Sequence, residues 1–583
     1  MAFISIDSDN SIVVHEVYDE RNVVADIGGQ WDAEAKVWRL AFTVSNLENL
    51  LDKLNNPQVD PRMEQMLLDQ EKREARLERL RAMSKADVPV SLKIPGMKMA
   101  PYNYQKLGIM YGMTNGTGVL LADDMGLGKT LQAIGTAVFM KSKGLAKNAL
   151  IVTPASLKFN WPLEIEKFTN EKYVVVDGDP DERVAQWLRT DVFFHVVNSE
   201  LLLEDLFGGR KYKESADDSP EKKARVAKLR AKAEMRQRVL SGVRRRMWSF
   251  LAIDEAQMIR HGTARRTKNI KQLRAKFRMA LTGTPMDGRL EELHSIMGFV
   301  APGLLGSRTR FFQRYVETDI WGTVTGYKRM GEVSKRIQPF FLRRLKKDVL
   351  KELPDKIYEN RFVVLTPEER KVYNALAEGG HAATQEAEAI VAVIRCKQFC
   401  NWPIKVDHGC TAASKMESFK EVVDEVVLQN GHKALIFSQY KEMVDVLAEV
   451  LEKMGVKYLR IDGDTPKQER ADMQKRFNEG VDLDVMLGTE AMSTGLNFYG
   501  ADTIIHYDSN WSPSVMSQRE DRAHRIGQKN TVVVVNFICK DTIEERICSV
   551  LYAKNVITSK VLGDEVDEMV LKRMGAKDMA RLL

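Results

Sequence analysis

Two blocks of short, uninterrupted apolar runs constrain this chain more than anything else in it. The first holds GVLLA (118–122), ALIVT (149–153), FFHVVN (193–198) and SFLAID (249–254), each followed by turn residues and a helical pattern. The second, from residue 432, holds KALIFSQY, YLRIDG, DVMLGT, DTIIHYD and VVVVNFI in the same alternation. A strand wetted on one face alternates apolar with polar residues. A run without alternation needs cover on both faces, which strand–helix–strand units on a parallel sheet provide. The expected fold class is α/β: two doubly wound parallel-sheet lobes with helical insertions, preceded by a small α+β unit. In that unit SIVVHEV, VVADIGG and VWRLAF read as strands, and TVSNLENLLDKL as a helix capped by Ser45. Residues 61–90 read as a charged amphipathic helix with Met63, Met66, Leu67, Leu77 and Leu80 on its apolar stripe. The expected domains are 1–58, a helical linker or brace at 59–96, a first lobe at 97–302, helical inter-lobe material at 303–413 and a second lobe at 414–583.

A chain of 583 residues is long enough for about three to five such units. Five cysteines are too few for a disulfide scaffold at this length. No stretch of about 18 apolar residues occurs, and the start MAFISIDSDNS lacks the basic-then-apolar order of a secretory signal. The expectation is a soluble, intracellular monomer without membrane contact, in the cytoplasm of a bacterial or phage-infected cell. The net charge is +7, yet residues 222–246 alone hold eleven Lys or Arg and one Glu. That concentration marks a basic helical insertion at about 205–247 and points to a polyanion, nucleic acid first. Arg244, Arg245 and Arg246 are its expected contacts. Val226, Leu229, Ala233, Leu240 and Val243 leave a thin apolar stripe to dock the opposite face.

Between GVLLA and the helical TLQAIGTAVFMKSK lies ADDMGLGKT (122–130). A glycine-rich turn that opens a helix aims backbone N–H groups and the positive end of the helix dipole at a phosphate. Gly126 and Gly128 let the backbone approach, Lys129 reaches the terminal phosphates, and the Thr130 hydroxyl holds Mg²⁺. Asp123 stands where the strict pattern has its first glycine. The run SFLAID then ends in Asp254, followed by Glu255. Asp254 is placed to hold the metal and Glu255 to polarise an attacking water. Strand, Gly-Lys-Thr, helix and a later strand ending Asp-Glu together predict ATP hydrolysis, with ATP and Mg²⁺ bound.

At this point the chain resembles the Snf2 family of superfamily 2 helicase-like ATPases, in order over about residues 100–550. The resemblance rests on YNYQKLGIMYG, DDMGLGKT, LIVTPASLKFNW, LTGTP (281–285), FLRRLKKDVLKELPDK (341–356), ALIFSQY, RIDGDTPKQERADMQKRFN and MLGTEAMSTGLNFYGADTIIHYDSNWSPSVMSQREDRAHRIGQ. It implies two RecA-like lobes. It implies that Gln105 hydrogen-bonds the adenine and that Asp124, Met125, Gly126, Leu127, Gly128, Lys129 and Thr130 line the nucleotide. It assigns Thr153 and Lys158 to the DNA backbone, and Thr282 and Thr284 to coupling hydrolysis with strand contacts. Arg522 and Arg525, three apart as on one helix face, are implied as the fingers that neutralise the γ-phosphate when the lobes close. Gln518 and Gly495 are expected near the nucleotide. One residue departs: where the family usually reads Asp-Glu-Ala-His, Gln257 stands in place of the His and cannot titrate.

Cys396, Cys400, His408 and Cys410 do not have a standard zinc spacing and are not read as a metal site, and Cys539 and Cys548 are read as core. Among the tryptophans Trp161, Trp402 and Trp511, the last lies beside the expected finger helix and is the candidate DNA contact. The N-terminal VVADIGGQWDAEAKVWRLAFTVSNLENLL is similar to the HARP domain of annealing helicases, on Trp31, Asp32, Lys36 and Trp38. The expected function is a DNA-stimulated ATPase that translocates on duplex or forked DNA without sequence preference and remodels or anneals branches in replication or repair. Three other readings stay open: a remodeller of protein–DNA complexes, such as one acting with transcription proteins on RNA polymerase, a strand-separating DNA or RNA helicase, and a catalytically silent DNA-binding scaffold.

Overall fold

The computed structural model describes residues 2–562 apart from 8–10, 18, 34, 42, 87, 209–219, 382–385, 481, 494 and 526; for some helix and strand residues, Met66, Leu67 and Leu229 among them, it describes the backbone alone. Five strands open the chain: β1 (Phe3–Ile6), β2 (Ser11–His15), β3 (Gln30–Asp32), β4 (Val37–Ala41) and β5 (Gln58–Val59), in the order β3-β4-β2-β1-β5. All pairings are antiparallel except β1 with β5. Ile4, Ile12, Val14 and Leu40 bury against two helices, α1 (Arg21–Ile27) and α2 (Val44–Lys53). Two local expectations are corrected here. VVADIGG is helical, because Val24 and Ile27 lie three apart and bury on one helix face, and Gly28, with φ +116°, ends the turn. The cap of α2 is Thr43, whose hydroxyl accepts the Asn46 N–H at 3.1 Å, while Ser45 falls inside the first turn.

Helix α3 (Arg62–Lys85) buries Met63, Leu77 and Leu80. Leu77 and Leu80 enter the core of the first lobe, and Arg81 donates to the Tyr111 hydroxyl at 3.1 Å and the Phe341 carbonyl at 3.2 Å. The helix is therefore a brace packed on the lobe. The first lobe then builds a seven-stranded sheet around α4 (Asn103–Asn115), β6 (Gly118–Leu121), α5 (Lys129–Ser142), β7 (Ala149–Thr153), α6 (Asn160–Phe168), β8 (Tyr173–Val175), α7 (Pro180–Leu188), β9 (Phe194–Asn198), α8 (Ser199–Phe207), α9 (Pro220–Arg245), β10 (Trp248–Asp254) and β11 (Ala275–Leu281). A hairpin, β12 (Val316–Thr318) with β13 (Val324–Tyr327), precedes the edge strand β14 (Phe341–Leu342). The sheet order is β14-β6-β11-β10-β7-β9-β8, parallel throughout. β6, β7, β9 and β10 are buried at every position, as their unbroken apolar runs require.

The second sheet joins β15 (Lys356–Val363), β16 (Ala434–Phe437), β17 (Tyr458–Ile461), β18 (Val485–Gly488), β19 (Thr503–His506) and β20 (Val532–Cys539), in the parallel order β15-β20-β19-β16-β18-β17. The chain divides into two compact units, Met1–Val349 and a second beginning at Leu350. The segment 303–413, expected as one helical stretch, is shared between them, because β14 pairs with β6 while β15 pairs with β20. Each unit holds a parallel sheet covered by helices, and the first also carries the mostly antiparallel N-terminal sheet.

Candidate nucleotide and nucleic-acid site

The sheet order of the first unit brings its chemistry to one edge. β6, β11 and β10 are adjacent and parallel, so the loops leaving their C-terminal ends lie side by side. These are the glycine-rich loop, the Thr-Gly-Thr turn and the Asp254–Glu255 pair, and such an edge is where open α/β sheets bind ligands. Gly128 is the N-cap of α5, with φ +73°. A Cβ there would overlap Gln105 Nε2, so the position tolerates only glycine on two counts. Gln105 itself is buried, donating to the Leu127 carbonyl at 3.2 Å and accepting the Tyr102 N–H at 3.0 Å. It braces the loop from α4.

The Lys129 ammonium donates to the Asp123 and Asp124 carbonyls at 2.7 and 3.1 Å. Burial pulls its pKa down, against the pull of Glu255, Asp123, Asp124 and Asp254 around it. Thr130 follows in the first helical turn, half-buried, and Met125 and Leu127 are buried beneath the loop. Asp124 receives the Lys346 N–H at 3.0 Å.

Asp254 is buried at the end of β10. One oxygen accepts from the Trp161 indole at 2.8 Å and the Thr153 hydroxyl at 3.4 Å, the other from the Glu255 N–H at 3.0 Å. Burial, and the Glu255 carboxylate beside it, push its carboxyl above the usual range. Two adjacent carboxylates, one held above its usual range even with Lys129 nearby, form a site that a divalent ion relieves, so Asp254 and the Thr130 hydroxyl fit Mg²⁺ by donor chemistry. Glu255 has φ +50°, an unusual conformation for a non-glycine residue. Its carboxylate accepts from Gln257 Nε2 at 2.7 Å, Gln257 Oε1 accepts the Thr282 hydroxyl at 2.9 Å, and Thr282 Oγ1 accepts the Thr284 N–H at 3.0 Å. The structure thus joins Gln257, Thr282 and Thr284 to Glu255 in one hydrogen-bonded chain.

Three expected DNA contacts change. Thr153 is wholly buried with its hydroxyl on Asp254, and Lys158 is buried with its ammonium on Asp177 at 2.7 Å and Asn198 at 3.3 Å, so neither side chain faces outward. Arg246 is half-buried with its guanidinium over the Trp248 ring. Arg244 and Arg245 remain exposed, Arg244 lying over Phe207 and donating to Gln272 at 3.1 Å. α9 docks through Ala233, Leu240 and Val243, and the Leu229 side chain lies outside the described residues.

In the second unit Arg522 and Arg525 converge on the Leu496 carbonyl, at 2.9 and 3.5 Å, beside exposed Gly495. They do not share a helix face. The helix Pro513–Glu520 ends before them, and they meet through the turn that follows, where Arg522 Nε donates to the Gln518 carbonyl at 3.1 Å. Burial lowers the Arg525 pKa. Trp511 is half-buried, with Lys397 Nζ 5.9 Å from its ring centroid. Cys396, Cys400 and Cys410 are buried core, whereas His408 faces solvent. Among the described residues the one cluster of metal-ligand type, Cys400, Cys539 and Glu544, is already satisfied by Lys415 at 2.5 Å from Glu544.

Residues 77–411 match the model of the SNF2-related domain, and residues 414–527 that of the helicase conserved C-terminal domain. The chain belongs to the SNF2-related family. YwqA of Bacillus subtilis (strain 168), provisionally named an ATP-dependent helicase/translocase, is 33% identical over 494 residues, 81% of this chain and 50% of YwqA. An uncharacterised ATP-dependent helicase of Mycoplasma pneumoniae is 31% identical over 80% of this chain and 42% of its own length. This SNF2-related chain therefore spans about half the length of the curated relatives it matches, or less. The SWI2/SNF2 ATPase core of Sulfolobus solfataricus, solved in complex with dsDNA, is 28% identical, covers 84% of this chain and 98% of its own, with a TM-score of 0.39.

Sequence reasoning missed Trp161 as a partner of Asp254, and Arg343 and Arg344 as partners of the SNF2-type loop. A tryptophan in FNW and two arginines in FLRRL carry no spacing signal for those roles. Only the mixed character of FLRRL, paired charges straight after a short apolar strand, hints that Arg344 is buried.

Proposed function

We propose that the chain hydrolyses ATP in response to DNA and translocates on it. The observation that carries this reading is the continuous hydrogen-bonded chain Glu255–Gln257–Thr282–Thr284 beside Lys129. A group that handles an attacking water and a loop suited to report on nucleic acid share a single network. In this reading Lys129 exchanges the loop carbonyls for phosphate oxygens, the N–H groups opening α5 cradle the β-phosphate, and Glu255, held by Gln257, takes the proton of the attacking water. Thr130 and Asp254 would hold Mg²⁺, which would supply charge neutralisation on the phosphates. Arg522 and Arg525, with Gly495 and Gln518, are assigned to nucleotide turnover, and Gln105 to the adenine as well as the loop.

Exposed Arg244 and Arg245 on α9 support a backbone-reading, salt-dependent contact with DNA. The resemblance of Trp31, Asp32, Lys36 and Trp38 to the HARP domain favours forks and strand annealing. In β3 and β4 Trp31 lies directly opposite Trp38, their rings 5.6 Å apart.

The test is the ATPase rate on single-stranded, duplex and forked DNA, with strand-displacement and annealing assays on the fork. Duplex or forked DNA should raise the rate, and Lys129→Ala should abolish the increase. A rate indifferent to DNA, or to loss of Lys129, rejects the reading. Displacement without annealing would favour an unwinding helicase.

A further inference from the structure

Asp123 stands where a strict phosphate loop has glycine, and its surroundings give the side chain a task. The carboxylate is wholly buried under the loop. Arg344 donates through Nε to Oδ1 at 2.9 Å and through Nη2 to Oδ2, and Gln132 Nε2 donates to Oδ2 at 3.0 Å. Arg344 is equally buried. It also donates to the Tyr104 carbonyl and, at 2.6 Å, to Gln132 Oε1, with its guanidinium 5.4 Å from the Tyr104 ring centroid. Gly108 makes room for the cluster: a Cβ there would overlap Gln132 Oε1 and come within 2.9 Å of Arg344 Nη2. Four parts of the chain meet at one buried ion pair: α4, the loop, α5 and the residues following β14. Arg343, the next residue back, donates to the Ala122 and Gly283 carbonyls at 3.2 Å each and so spans the glycine-rich loop and the Thr-Gly-Thr turn.

A buried pair is a poor source of net stability, but removing one partner is costly because the other is left charged in a dry site. That asymmetry suits a register pin, since the loop cannot shift without stranding a carboxylate or a guanidinium. We infer that Asp123 and Arg344 are a positioning pair that fixes the carbonyls of Asp123 and Asp124, on which the Lys129 ammonium rests, and with them the shape of the phosphate cradle. The inference rests on the ATP-hydrolysing reading above. Arg344 lies on the last stretch of the first unit, which ends at Val349. The loop is therefore pinned by the segment that leads on into the second unit.

The experiment compares the full-length wild type with Arg344→Gln, Asp123→Asn and the double variant, measuring KM for ATP and kcat with saturating duplex DNA, DNA affinity without nucleotide, and Tm. Arg344→Gln should raise KM at least about ten-fold and leave DNA affinity unchanged. The double variant, which strands no charge, should recover most of that loss. A fold contribution alone would lower Tm in the single variants more than in the double and leave KM for ATP unchanged in all three. An unchanged KM in Arg344→Gln, or equal impairment of single and double variants, overturns the inference. If Arg344→Gln does not fold, Asp123→Asn decides: a wild-type KM there also overturns it. Should the wild type neither bind nor hydrolyse ATP, the ATP reading falls and this pair with it; an active wild type with indifferent variants removes the pair alone.

Discussion

Gln257, a neutral amide, stands where the resembled sequence pattern has a histidine. Its Nε2 donates to Glu255 and its Oε1 accepts from Thr282. A neutral histidine can make both bonds, but it titrates near pH 6.5, and the imidazolium would lose its acceptor and draw charge from Glu255. Gln257→His should keep DNA-stimulated ATPase at pH 8 and lose it progressively below about pH 6.5. The wild type should lose rate over that interval less steeply, through Asp254 alone. Gln257→Ala should lower kcat about ten-fold with less effect on KM for ATP. Matched pH profiles of wild type and Gln257→His would show that the side chain does not act through Glu255. At this scale the sequence singled out Lys129, Asp254 and Glu255 by their places at a helix start and a strand end, and Gln257 and Thr282 only through the family resemblance. It did not reveal Trp161 or Arg344, whose roles arise from contacts between elements 93 and 221 residues apart.

At the C-terminal end of α9, Leu240 and Val243 are buried while Arg244 and Arg245 stay exposed. The basic cluster therefore separates into two kinds of arginine. Arg244→Ala with Arg245→Ala should weaken DNA binding and reduce the slope of log affinity against log salt by roughly two, with Tm nearly unchanged. Arg246→Ala should do the reverse, sparing the salt slope and destabilising the unit by about 1 kcal/mol through loss of the guanidinium over Trp248. Equal effects of the two substitutions on the salt slope would undo the distinction. Strands were legible wherever they were apolar throughout, as in β6, β7, β10 and β16. They were not legible in β11, AKFRMAL, which carries Lys276 and Arg278 although it lies between β6 and β10, nor in β15, KIYENRFV, an edge strand rich in polar residues. The helical reading of Arg522 and Arg525 failed for a related reason: a three-residue spacing suits a helix face and a turn equally.

Across the first unit, acid should act on two histidines. His195 lies between the rings of Trp187 and Trp248, and burial, aided by Arg246, holds its pKa down to about 4. His294 is held down to about 4 by burial, partly offset by the Gly306 carbonyl at 3.0 Å. Both ordinarily titrate near 6.5, so between pH 6.5 and 4 the unfolded chain binds protons that the folded chain refuses. Stability from these groups is complete above 6.5 and is lost as pH falls toward 4, by up to about 3 kcal/mol for each histidine. The urea midpoint should fall over that window, and His195→Phe should flatten the fall. An identical pH dependence in the variant would remove His195 as a cause. The two-lobe plan was visible in the alternation of apolar runs. The division at Val349–Leu350 was not, because it depends on which sheet each of two short strands joins.

Gly28 and Gly306 meet at the seam between the small N-terminal sheet and the first lobe. Both have left-handed backbones, and a Cβ on Gly306 would lie 3.2 Å from the Gly28 Cα. Arg310 to Asp26 and Arg336 to the Ile27 carbonyl close the same seam. In a library of single substitutions selected for function, these two glycines should therefore be as intolerant of change as the phosphate loop, though they lie far from it. A merely tethered module would leave its joint free to vary; this one should behave, genetically, as part of the engine.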